Sequence, residues 1–156
     1  MFINKDFKEL LRFLNQEKAE YLIVGAHAVI FYTEPRYTKD IDIWIRPEGD
    51  NANRVYQALK KFGAPVKELT PKDFTNSEMM YQIGIEPNRI DILMDVDGVT
   101  FSSAWKNKKV SKYGDEKIYV LCLKDVIQSK QASKRPQDLL DLERLNKTAK
   151  PKQRKK

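Results

Sequence analysis

The chain has 156 residues, 41% of them hydrophobic, and carries 29 Lys and Arg against 22 Asp and Glu for a net charge of +7. That is the size of one globular domain with room for a real core. The lone Cys122 excludes an internal disulfide, so a reducing cytoplasm is the expected compartment, and the longest uncharged run, the 13 residues from Tyr21 to Thr33, is too short for a membrane span.

Asp6 to Lys18 places Phe7, Leu10, Leu11 and Leu14 at helical spacing, with Asn4 or Asp6 available as cap. The mixed acidic and basic pattern there gives no sign of a signal peptide. Tyr21 to Val24 is a short apolar run suited to a buried strand; Gly25 breaks it, and Ala26 to Tyr32 favour a helix. A strand passing through glycine into a helix leaves unpaired N–H groups at the helix start, a natural phosphate cradle. Glycine also lets a ligand approach the backbone. Thr33-Glu34-Pro35-Arg36 then turns the chain into Thr38-Lys39-Asp40-Ile41-Asp42-Ile43-Trp44-Ile45, which alternates as a strand does. Ile41, Ile43 and Ile45 share one face, and Asp40 and Asp42 share the other, their Cα atoms ~6.6 Å apart. Like charges at that spacing repel by ~2.5 kcal/mol at an effective dielectric of about 20, against ~0.6 in bulk water. A solvated strand tolerates that, whereas an enclosed one needs a cation, and Mg²⁺ suits two carboxylates.

Asp50 to Phe62 is a second amphipathic helix, ended by Gly63, and Ala64 to Ser77 is a loop with one helical turn. Met79 to Ile85 and Arg89 to Met94 read as strands joined across Glu86-Pro87-Asn88. Asp91 is the single charge in an apolar stretch of the second, so it is expected to have a partner or a role. Asp95 and Asp97 follow, and Asp97-Gly98 reads as a turn. Val99 to Asn107 is a short helix anchored by Phe101 and Trp105, and Lys109 to Tyr113 with Lys117 to Val120 resemble edge strands around Gly114-Asp115. Cys122, among Val120, Leu121 and Leu123, reads as a buried inert thiol. Leu123 to Ser133 and Pro136 to Asn146 are the last helices, giving a single domain over 1–146 and a basic tail over 147–156. The tail holds six basic residues and no acidic ones, leaving 23 basic against 22 acidic in the body. It reads as a disordered, solubilising terminus, with salt-sensitive contact to RNA as the alternative.

A phosphate cradle beside a metal-binding acidic pair is the equipment of an enzyme that handles a nucleoside triphosphate. His27 lies near the cradle, either as a donor to phosphate or as a packed ring, and Arg36 and Lys39 precede the acidic strand. The single Cys and single His give no nucleophile-and-base arrangement.

With Gly25-Ala26, Asp40-Ile41-Asp42 and Asp91 in this order, the chain resembles the nucleotidyltransferase superfamily typified by DNA polymerase β. Val24-Gly25-Ala26-His27-Ala28-Val29, Arg36 to Asp42, Phe101-x-x-Ala104-Trp105 and Lys130-x-x-x-x-Arg135-x-x-Asp138-x-x-Asp141-Leu142 resemble small prokaryotic members, some from toxin–antitoxin systems. The resemblance implies an α/β fold, a mixed β-sheet with helices packed against it. It implies transfer of an NMP unit from an NTP to an acceptor hydroxyl of RNA, a protein or a small molecule. Asp40, Asp42 and Asp91 would hold Mg²⁺ (or Mn²⁺), with Asp91 also taking the acceptor proton. Gly25, Ala26, Arg36 and Lys130 would contact the nucleotide, with Arg135 a further candidate and Asp138 an anchor for a basic neighbour. Ala26 departs from the usual Gly or Ser, so the alternative is a weak or inactive relative that binds nucleotide or RNA, and an antitoxin-type protein partner is a further implication.

Overall fold

The computed structural model describes residues 3–33, 40–85 and 88–149. Helix α1 (Lys5–Gln16) starts where Asn4 Oδ1 accepts from the N–H groups of Asp6 (2.8 Å) and Phe7 (3.2 Å), and it buries Phe7, Leu10, Leu11 and Leu14. Strand β1 (Tyr21–Val24) is buried along its length and passes directly into α2 (Gly25–Tyr32). Strand β2 (Asp40–Ile45) and helix α3 (Gly49–Phe62) follow, and Gly63, at φ +95°, caps α3 in the left-handed region. A 3₁₀ turn (Pro71–Thr75) is the one helical turn expected in the loop. Then come β3 (Met80–Ile83), β4 (Arg89–Leu93), α4 (Phe101–Lys106), β5 (Lys109–Tyr113), β6 (Glu116–Val120), α5 (Leu123–Ser133) and α6 (Pro136–Ala149).

The strands form one mixed sheet in the order β3-β4-β2-β1-β6-β5. β2 runs antiparallel to β1 and parallel to β4, while β6 runs parallel to β1. This corrects one expectation: β5 is an edge strand, but β6 lies inside the sheet, because its apolar residues Ile118 and Val120 are buried beside β1. A second difference is that α6 extends to Ala149, three residues past the expected end. The rest of the basic tail, and the turn carrying Arg36 and Lys39, lie outside the described residues. Among the described residues no helix is long and apolar enough to cross a membrane.

Ile41, Ile43 and Ile45 are fully buried in one core with the apolar faces of α1 and α3. The far end of β2 is held by Trp44, edge-on to Phe101 of α4 at 5.1 Å, and Phe101 stacks on Trp105 at 5.8 Å. Asn51, in the first turn of α3 and 3% exposed, ties three segments together. Its Oδ1 accepts from Glu20 N–H (2.6 Å), and its Nδ2 donates to the carbonyls of Glu20 and Arg46 (both 3.0 Å). These contacts fix the entry of β1 and the exit of β2, the strands that carry the site. Asn51→Ala removes all three, and the expected loss is about 2–3 kcal/mol of folding free energy in urea titrations; a loss below about 0.5 kcal/mol contradicts the role.

Candidate active site

The acidic cluster follows from strand register. Parallel pairing sets Asp42 opposite Asp91 and Asp40 opposite Arg89, while antiparallel pairing sets Asp42 opposite Val24. Residues opposite one another share a sheet face, so β2 supplies two carboxylates and β4 the third. Oxygens of Asp40, Asp42 and Asp91 lie within 4.8 Å of one another. Gly25 makes room for this arrangement. It adopts φ +66°, and a Cβ there would sit 2.1 Å from Asp42 Oδ2. The glycine signal is thus explained twice, by conformation and by the carboxylate beside it.

At a separation of 4.8 Å, each like-charged pair repels by roughly 3 kcal/mol at an effective dielectric of about 20. One cation partly offsets this: Arg89 Nη2 donates to Asp40 Oδ2 (2.6 Å) and to Asp91 Oδ2 (3.3 Å). Sequence reading missed Arg89; its only signal was its place two residues before Asp91. Asp91 is 4% exposed, and among the described residues its buried Oδ1 has no hydrogen-bond donor. Burial, then Asp91 and Asp40, push Asp42 up to about 7. A set of oxygen donors with surplus negative charge and an unsatisfied buried carboxylate oxygen fits a hard divalent cation such as Mg²⁺ or Mn²⁺.

Beside Asp42 opens a cavity of about 280 Å³. Val24, Leu93, Leu121 and Val126 form its apolar part, and Gly25, Ser129, Lys130 and Arg135 give it polar groups. Lys130, 9% exposed, comes from α5, and its ammonium is bonded to Asp138 of α6 at 2.9 Å. Asp138 also accepts from Ser133 and Arg135, so it does anchor basic neighbours. Burial alone would raise Asp138, but the bonds from Ser133, Lys130 and Arg135 hold it well below the usual carboxylate range. Asp95 and Asp97 stand at the cavity wall. Their loop is fastened to α5, since Gln128 Nε2 donates to the Gly98 carbonyl at 2.5 Å.

Ala26 occupies the first turn of α2, where it has a backbone N–H but no hydroxyl. Arg36 lies outside the described residues. His27 packs edge-on against Phe7 (5.6 Å) and Tyr113 (6.3 Å), and burial lowers its pKa, which suits a neutral packed ring. Cys122 is half-buried rather than fully enclosed, because it precedes α5 at a helix start; burial raises its thiol, away from nucleophilic character.

Two outcomes follow. Gly25→Ala should displace the Asp42 carboxylate, lowering Tm and abolishing the Tm increase that Mn²⁺ gives the native chain; an unchanged response contradicts the close approach. The raised Asp42 pKa means that the folded state gains a proton more readily than the unfolded one. Its contribution therefore becomes unfavourable as pH rises toward and past about 7, and is relieved as pH falls through that value. In EDTA, native Tm should rise from pH 8 to pH 6 more than that of Asp42→Asn. Equal rises for the two chains contradict the electrostatic picture.

The profile of the family described as a nucleotidyltransferase of unknown function (DUF6036) matches residues 2–148. Comparison with curated proteins gave no match. Among solved structures, the lincosamide antibiotic adenylyltransferase LnuA with lincomycin bound superposes with a TM-score of 0.60 at 17% identity, covering 94% of this chain and 98% of LnuA. TM1012 of Thermotoga maritima, a candidate nucleotidyltransferase, gives 0.57 at 18% identity over 94% and 96% of the two chains. An antigenic nucleotidyltransferase-like protein of Paracoccidioides brasiliensis gives 0.56 at 13% identity over 96% and 79%. At these identities the three structures share the fold, and the family match is what classifies the sequence. The chain belongs to the DUF6036 family of nucleotidyltransferases.

Proposed function

We propose that this protein transfers an NMP unit from a divalent-metal complex of an NTP to an acceptor hydroxyl. The observation that carries this reading is the meeting of Asp40, Asp42 and Asp91 within 4.8 Å, beside the Gly25 bend. These three carboxylates would hold the metal, which supplies charge neutralisation on the triphosphate and activation of the attacking oxygen. The N-terminal N–H groups of α2, at Gly25 and Ala26, and the Lys130 ammonium offer donors to phosphate oxygens. Arg89 orients Asp91 through its hydrogen bond, so that Asp91 can take the proton of the acceptor hydroxyl. The acceptor oxygen bonds to the α-phosphorus, the bond from that phosphorus to the bridging oxygen breaks, and pyrophosphate leaves with the electron pair.

Ala26 bears on the inactive alternative only through a lost hydroxyl, because its backbone N–H remains. The fold likeness to LnuA, a lincosamide adenylyltransferase, supports screening small molecules alongside RNA and protein as acceptors. The test incubates the native chain with each α-labelled NTP, Mg²⁺ or Mn²⁺, and total RNA, protein extract or a small-molecule extract in turn. A cognate antitoxin-type partner falls within the protein arm. Label should pass to one acceptor class, with Asp42→Ala and Asp91→Asn at least about 100-fold slower. Saturable nucleotide binding with no transfer to any class would favour a nucleotide-binding relative instead.

A further inference from the structure

Among the described residues, the most enclosed charge network outside the acidic triad joins α5 to α6. Lys130 Nζ lies 2.9 Å from Asp138 Oδ1 and 3.3 Å from Asp141 Oδ2, and both carboxylates are 1% exposed. Asp138 is further bonded by Ser133 Oγ, by Arg135 N–H (3.3 Å) and by Arg135 Nε (2.9 Å). Asp141 accepts from Gln137 Nε2 at 2.9 Å. Lys134, a non-glycine residue at φ +56°, closes the turn that brings the two helices together. Lys130 lines the same cavity as Gly25 and Asp42; Asp141 is not among its lining residues.

Two buried carboxylates on one ammonium have two opposed effects on a phosphate in that cavity. Their field repels the phosphate and cancels the lysine charge at a distance. The Asp138 hydrogen bond and the Asp141 ion pair, however, fix a long flexible side chain that would otherwise swing toward water to escape burial. An ammonium has three N–H donors; Asp138 accepts from one of them, and Asp141 faces the same charge as an ion pair at 3.3 Å. We propose that Asp138 and Asp141 are positioning residues that hold Lys130 at the cavity wall with an N–H directed to the distal phosphates of the nucleotide. This inference rests on the nucleotide-transfer reading. On the field alone, removing a carboxylate tightens phosphate binding; on positioning, removing it weakens binding.

The full-length chain is titrated calorimetrically with magnesium tripolyphosphate, MgATP and AMP, as native protein, Asp141→Asn, Lys130→Met and the double variant. Asp141→Asn should weaken tripolyphosphate and MgATP by about tenfold, with a further change under about twofold in the Lys130→Met background. AMP, which lacks the distal phosphates, should bind all four alike. Asp138→Asn is the second probe and should show the same dependence on Lys130, with circular dichroism confirming the fold of each variant. Equal or tighter tripolyphosphate binding by Asp141→Asn overturns the proposal, as does the same loss in both backgrounds, which would mark a structural effect. A native chain that binds none of the probes overturns this inference together with the transfer reading. A native chain that binds them, with Asp141→Asn unchanged, overturns this inference alone.

Discussion

Mutual repulsion among Asp40, Asp42 and Asp91 is the constraint around which this end of the sheet is built. Three carboxylates within 4.8 Å are unfavourable for folding unless something else holds them there. What holds them is backbone pairing: five consecutive register pairs between β2 and β4 leave Asp42 no choice but to face Asp91. The fully buried isoleucines on the other face of β2 lock that register, because a slip of one residue would put Asp40 and Asp42 into the apolar core. Arg89 offsets part of the repulsion, and Gly25 yields the space into which Asp42 projects. Surplus charge held by a rigid scaffold is what the proposed metal would offset.

Much of this was legible from short-range patterns. Alternation in Asp40 to Ile45 gave the faces of β2, the apolar run before Gly25 gave β1, and the solitary charge at Asp91 marked the third acid. Long-range pairing was not legible. Nothing local to Lys117–Val120 says that it lies beside β1, so an interior strand read as an edge. Arg89 was overlooked because its significance depends on Asp40, 49 positions earlier in sequence and its partner only through parallel register. The Lys130 cluster was half legible: the spacing of Lys130, Arg135, Asp138 and Asp141 fitted the resembled family, but the burial of Lys130, Asp138 and Asp141 follows from how α6 folds back on α5.

The two charge systems differ in kind. Around Asp42 the acids outnumber the base, an imbalance that the proposed metal would offset. Between α5 and α6 the hydrogen-bond demands of Asp138 are met by Ser133, Lys130 and Arg135, which suits a rigid wall. Between them lies the cavity, whose apolar lining is Val24, Leu93, Val96, Leu121 and Val126. A division into an under-neutralised centre and a self-satisfied wall matches a reaction whose charge changes at one end of a triphosphate while the other end is held still.

The most direct measurement is a crystal structure of the chain grown with manganese, with anomalous scattering used to place the ion. An anomalous peak ligated jointly by Asp40, Asp42 and Asp91, next to the Gly25 bend, is the expected result. Ordered protein with Asp91 turned away from the other two acids, or with manganese bound only elsewhere on the surface, would contradict the assignment.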